Sequence, residues 1–167
     1  NRMIGRLKLW ASTLHDTRKD RQLGIRTDGL IVPSDIGDGC FAYLPLGYRN
    51  LERLFSHIDV RPGHDVLIDY GSGLGRVPIF AAQKLLKRSI GVELSKILND
   101  QAIDNAKAAL PKLACRQVDM IECDARAFSV PDDATIFYFF MPFDESILGE
   151  VLDNIKASID AHPRAAC

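Results

Sequence analysis

From residue 65 onward the hydrophobic pattern alternates between two periods. DVLIDY, residues 65–70, is a continuous apolar run broken by acids, which predicts a short buried strand. LGRVPIFAAQKLLK, residues 74–87, predicts a helix, with Pro78 confined to its first turn, where a missing N–H is harmless. RSIGVEL predicts a second strand. Ser95 then stands where an N-cap belongs, and Leu98, Ala102, Ala106 and Leu110 make one stripe of a helix that Pro111 helps to end. RQVDMIECDA and ATIFYFFM predict a third and a fourth strand, with Cys123 packed in the third as a small hydrophobe. Asp144 caps a last, amphipathic helix carrying Ile147, Leu148, Val151, Leu152, Ile155 and Ile159. Strands joined by crossover helices predict an α/β fold: a doubly wound, mostly parallel sheet with helices on both faces.

The earlier part of the chain is less regular. Residues 3–22 predict a helix bearing Leu7, Trp10 and Leu14, and residues 46–58 predict another with Leu51, Leu54, Phe55 and Ile58 on one face. Between them, residues 24–48 are rich in Gly and Pro, too irregular for a helix and long for a simple loop. Such a segment predicts a structured cover over something. We therefore divide the chain into an N-terminal helix and cover, 1–48, and a ligand-binding sheet domain, 49–167. The fourth strand is apolar on both faces and is expected to be central, so its outer edge needs a partner. No strand follows it before Cys167, and the chain opens on Asn1, so the expectation is a longer protein with further C-terminal strands.

Composition changes this picture little. The 167 residues are 47% hydrophobic and 26% charged, which suits one domain with one substantial core. No apolar run approaches the ~20 residues of a membrane-spanning helix, and NRMIGRLKLW is basic without the apolar core of a secretory signal. A net charge of −1 argues against a general nucleic-acid binder. The first 26 residues hold seven Lys/Arg against two Asp, and with little aromatic interleaving we read them as a solvated helix face. The four cysteines form no CxxC pair and no zinc spacing, which predicts free thiols, a reducing, cytoplasmic setting and no metal site. The four histidines are scattered and predict surface roles.

The chemistry sits after the first strand. Asp69-Tyr70-Gly71-Ser72-Gly73-Leu74-Gly75 places an acid before three alternating glycines, at the carboxyl end of a parallel strand, where open sheets bind ligands. A dinucleotide site needs GxGxxG, and Arg76 stands at its sixth position. No P-loop sequence is present, and GxSxG fails because Tyr70 and Leu74 flank Ser72. An acid ahead of bare backbone suits a ligand bringing a cation rather than a pyrophosphate.

These residues resemble the class I, seven-strand S-adenosylmethionine-dependent methyltransferases, which have a Rossmann-like fold. Within them the chain is faintly similar to the histone-lysine methyltransferases of that fold and to small bacterial relatives. The likeness covers about residues 43–160. It implies S-adenosylmethionine as cofactor, bound by Asp69, Gly71, Ser72, Gly73 and Gly75. It gives Glu93, at the end of the second strand, the ribose hydroxyls, and Asp124 with Ala125, at the end of the third, the adenine. Tyr43 would offer an aromatic face to the sulfonium. Tyr48 and the fourth-strand residues Met141, Pro142 and Phe143 would lie on the substrate side. The resemblance implies no metal. Many amino-group methyltransferases carry Asn or Asp first in the fourth-strand motif, and Met141 stands there instead.

Plainer readings stay open beside these. Asp69 and Glu93 would then cap helices or pair with Arg76 or Lys96, Asp124 would be an ordinary strand-end acid, and Tyr43 and Tyr48 would pack the cover onto the sheet. A cofactor-binding module without catalysis and a dinucleotide-dependent oxidoreductase remain the alternative functions.

Overall fold

The computed structural model describes residues 14–35 and 37–167. Residues 14–23 are helical (α1); Leu7 and Trp10 of the expected first helix lie outside the described residues. There follow α2 (Tyr48–Phe55), β1 (Val66–Tyr70), α3 (Arg76–Ala81), β2 (Arg88–Glu93), α4 (Lys96–Ala109), β3 (Val118–Glu122), β4 (Ala134–Phe139) and α5 (Glu145–Ala161). The four strands are all parallel, in the order β3-β2-β1-β4. The order reverses at β1, so a crevice opens between the carboxyl ends of β1 and β4, where doubly wound sheets take ligands.

Two apolar layers cover the sheet. Leu67, Ile136 and Tyr138 point into one, with Tyr48, Leu51, Phe55, Ile79 and Ala106 from the helices. Val66, Ile68, Tyr70, Ile90 and Val92 point into the other, closed by Ile147, Val151 and Ile155 of α5. All five residues of β1 are buried, which is why its sequence runs apolar instead of alternating.

Both expected caps form. Ser95 Oγ accepts from the Leu98 amide, and Asp144 accepts from Ser146 and Ile147. Several expected elements are shorter. α3 stops at Ala81 although the apolar pattern runs to residue 87. The Ala82 carbonyl instead accepts from the Ala114 and Cys115 amides, which turns the chain away from helix. β3 ends at Glu122, so Cys123 lies beyond the strand, half-buried, although its amide still bonds the Glu93 carbonyl at 2.9 Å. β4, expected in the centre, is an edge of the four-stranded sheet. On its outer side Cys167 exchanges two backbone hydrogen bonds with it, to Thr135 and Phe137.

Described residues between 24 and 48 lie against the glycine loop and the segment after β4, with Tyr43 packed on Gly73. Ile31 bridges Tyr43, and Cys40 bridges Phe143, both antiparallel. Asp35 accepts from Ser95 Oγ at 2.6 Å and the Ile97 amide at 3.2 Å, which pins the cover to the start of α4. Asn105 of α4 bonds both backbone groups of Arg26 and the Leu74 carbonyl.

Candidate functional site

Between the cover and the strand ends lies a cleft of about 410 Å³, within the usual range for small-molecule sites. Asp69, Gly71, Ser72, Glu93, Asp124, Ala125, Tyr43, Met141, Pro142 and Phe143 all line it. Three separate strand ends thus bring their acids to one cleft.

Asp69 ends up in an unusual state. It is 3% exposed, and among the described residues nothing donates a hydrogen bond to its carboxyl group. Burial first, and the neighbouring Glu93 second, raise its pKa well above the ordinary 3.8. Glu93 is better provided for. Its Oε2 accepts from the Gly73 amide at 2.8 Å and its Oε1 from the Ser95 amide at 2.9 Å. Burial still raises its pKa, and the amides only offset that. Each oxygen keeps a free lone pair for a further donor. Neither acid pairs with Arg76 or Lys96: Arg76 is engaged by the cover, and Lys96 bonds Asp100.

Asp124 is partly committed. Arg126 holds it through its amide at 2.9 Å and its guanidinium at 2.6–3.2 Å, which lowers the Asp124 pKa. Arg126 itself lines the cleft, so the pair presents one polar edge.

The glycines are bare for a reason different from the one their spacing suggests. Gly71 and Gly73 both have positive φ, +74° and +54°. A Cβ on Gly71 would collide with Pro142, and one on Gly73 would lie 2.0 Å from the edge of the Tyr43 ring. The backbone is cleared for two of the protein's own side chains. Of the loop, Gly71 and Ser72 line the cleft, while Gly73 and Gly75 do not. Gly73→Ala is therefore expected to expel Tyr43 and break the 2.6 Å bond from its hydroxyl to the Thr27 carbonyl. Left-handed strain plus overpacking put the loss at about 2–5 kcal/mol, measured by urea unfolding.

Tyr48 is not on the substrate side. It is fully buried, its hydroxyl donates to Asp20 at 2.6 Å, and its ring lies 4.7 Å beneath the Arg76 guanidinium. The packing reading holds for it.

Two contributors to the cleft escape the sequence. Arg76, which looked like the residue spoiling a nucleotide fingerprint, is 2% exposed. Its Nε donates to Thr27 Oγ1 at 2.7 Å, and its Nη atoms donate to Asp16 and to the carbonyls of Leu46 and Thr27. It ties α1 and the cover to the glycine loop. Tyr138, paired with Asp69 across β1 and β4, lines the cleft, and burial together with Asp69 keeps its phenol protonated. The signal for it was its register beside Asp69, which a sequence does not display. Among the described residues no cluster of His, Cys, Asp and Glu could hold a metal, and no helix is long and apolar enough to cross a membrane.

The profile of the family described as histone methylation protein DOT1 matches residues 41–126. No curated protein matches the chain. Among solved structures, an RNA methyltransferase from Salinibacter ruber, in complex with S-adenosyl-L-homocysteine, is similar at 26% identity and a TM-score of 0.54, over 71% of this chain and 71% of that one. Two proteins described as SAM-dependent methyltransferases, each in complex with S-adenosyl-L-homocysteine, share the fold. The one from Thiobacillus denitrificans has 19% identity and a TM-score of 0.55, over 80% of this chain and 49% of that one. The one from Geobacter sulfurreducens has 21% identity and a TM-score of 0.55, over 71% and 45%. The chain thus spans under half the length of these two.

Proposed function

The chain belongs to the family of the histone methylation protein DOT1, and from that membership we propose that it is an S-adenosylmethionine-dependent methyltransferase with its cofactor in the cleft under the cover. Asp69 carries the proposal. A buried carboxyl group with no donor destabilises its surroundings unless a cation or a proton satisfies it, and the α-ammonium of the cofactor is such a cation. The donor set fits the rest of the molecule as well. Glu93 has lone pairs left for the two ribose hydroxyls. Asp124, beside Ala125, faces the adenine end, sharing its carboxylate with Arg126.

When bound, the cofactor supplies a methyl group activated by a sulfonium leaving group. The chain's own residues hold and enclose it. Tyr43, fixed by Thr27, walls the glycine loop with an aromatic face. The cover, held by Arg76, Asp35 and Asn105, keeps water from the strand ends. Such alignment of reactants is worth up to about 7–11 kcal/mol of barrier. We keep the division into a cover, 1–48, and a cofactor-binding domain, 49–167. The free thiols fit a reducing, cytoplasmic setting.

Glu93→Ala is expected to weaken S-adenosylhomocysteine binding at least about tenfold, since a charge-assisted hydrogen bond is worth roughly 1.5–3 kcal/mol. Titration calorimetry measures it, and an unchanged Kd would count against the ribose role. A thermal-shift comparison of S-adenosylhomocysteine with NAD separates this reading from an oxidoreductase: only the former should raise Tm.

A further inference from the structure

Two acids at the cleft, Glu93 and Asp124, are met very differently by their neighbours. Glu93 takes one amide on each oxygen and keeps a lone pair on both. Asp124 keeps none. Its Oδ1 accepts from the Arg126 amide at 2.9 Å and from the Arg126 Nε at 3.1 Å. Its Oδ2 accepts from Nη2 at 2.6 Å and from Nε at 3.2 Å. A carboxylate offers about four acceptor sites, and Arg126 alone fills them. Arg126 also lines the cleft. An amino group entering there can reach Oδ2 only by taking the place of the guanidinium.

The guanidinium is not needed to aim Asp124. The Arg126 amide already holds Oδ1, and that bond does not depend on the side chain. The main chain at 126 is fixed as well, because Asn154 of α5 donates to its carbonyl at 2.8 Å. The side chains of Arg126 and Asp124 are 45% and 34% exposed, and an ion pair so open to water is weak. A second acid stands ready to receive the cation. Glu150 lies one turn before Asn154, on the same face of α5. The bonds to Asp124 chiefly raise the Arg126 pKa, and Glu150 adds to the rise, which puts it within electrostatic reach of the guanidinium.

We propose that Arg126 gates the adenine end of the cleft: its guanidinium blocks Asp124 in the free protein and passes to Glu150 when the amino group of a base takes its place. The inference rests on the methyltransferase reading above, in which Asp124 receives the adenine. The exchange moves one side chain, since the Arg126 amide stays on Oδ1 in both states. It also makes Arg126 a specificity residue. A base with no donor at that edge would leave Asp124 with fewer bonds than the guanidinium gives it, and an acceptor left short of donors is costly. Only a base that brings an amino group replaces what it removes.

Calorimetry on the whole chain with S-adenosylhomocysteine tests it. If neither the wild type nor Arg126→Met binds, the cofactor reading falls and the gate falls with it. Otherwise Arg126→Met should bind about two- to fivefold more tightly than the wild type, the range for releasing an exposed ion pair. Arg126→Lys, which keeps the charge without the planar fork, should fall between the two. The gain should be absent for the analogue that carries unsubstituted purine in place of adenine, because it brings no amino group to Asp124. Glu150→Gln should weaken S-adenosylhomocysteine binding about twofold in the wild type and leave Arg126→Met unchanged, a coupling that a merely structural role would not produce. Melting curves check that each variant folds. Three results overturn the gate while sparing the cofactor reading: Arg126→Met binds no more tightly than the wild type, its gain is equal for the purine analogue, or Glu150→Gln acts alike in both backgrounds.

Discussion

Replacing Arg76 by alanine is expected to cost the fold about 3–5 kcal/mol in urea unfolding, the range for removing one partner of a buried ion pair. For a domain of this size that lowers Tm by roughly 6–20 °C. The guanidinium lies 3.2 Å from Asp16 and 3.8 Å from Asp20, both carboxylates in contact with the buried Thr27 or Tyr48. Without it, two acids face each other in a poorly solvated pocket. The Tyr48 ring also loses its cation. The damage should be local before it is global. Released from Arg76, the Thr27 and Leu46 carbonyls no longer hold the cover, so trypsin should cut after Arg26 faster than in the wild type, and S-adenosylhomocysteine should bind more weakly. Arg76→Lys keeps the charge without the planar fork and should recover less than half the loss. A loss below about 1 kcal/mol would mean that Asp35 and Asn105 hold the cover unaided.

This network shows where sequence reading stops. The sheet was legible because β1, β2 and β4 are short apolar runs with helical patterns between them, a local signal. Ser95 and Asp144 announced their helices for the same reason. The acids Asp69, Glu93 and Asp124 were legible as a set because parallel topology sends successive strand ends to one side of the sheet. Arg76 was not, because its partners lie 30 to 60 positions upstream and carry no pattern that points to it. The glycine loop misled in a related way. Its spacing says that the backbone must be bare, and that holds, but what approaches Gly71 and Gly73 is Pro142 and Tyr43. A spacing records the need for room and is silent on the occupant. Tyr48 sits five positions from Tyr43 in one short motif, yet one lines the cleft and the other anchors the core.

Asp69→Asn should stabilise the free protein and cripple cofactor binding at once. Burial and Glu93 raise the Asp69 pKa far above 3.8 in the folded chain. On folding it therefore tends to keep a proton that the unfolded chain gives up. Its favourable contribution is complete below the unfolded value, near ~3.9, and is lost as pH rises through the higher folded value. Glu93, also raised, acts in the same direction from its ordinary 4.5 upward. Asparagine cannot ionise, so Asp69→Asn should melt above the wild type at neutral pH, with the gap closing toward pH 4. A cationic ligand reverses the balance, because it favours the ionised carboxylate. Binding of S-adenosylhomocysteine should release a proton below the free-protein pKa of Asp69, seen in calorimetry as a heat that changes with the buffer's ionisation enthalpy. Wild-type affinity should climb with pH through that pKa and then level off. In Asp69→Asn the climb should flatten, leaving the smaller part due to Glu93, and affinity at pH 8 should be at least about tenfold lower, from the loss of one charge-assisted bond. If the variant bound as tightly as the wild type at pH 8, the ammonium would not be the cation this carboxylate awaits, and the orientation of the cofactor in the cleft would have to be reversed.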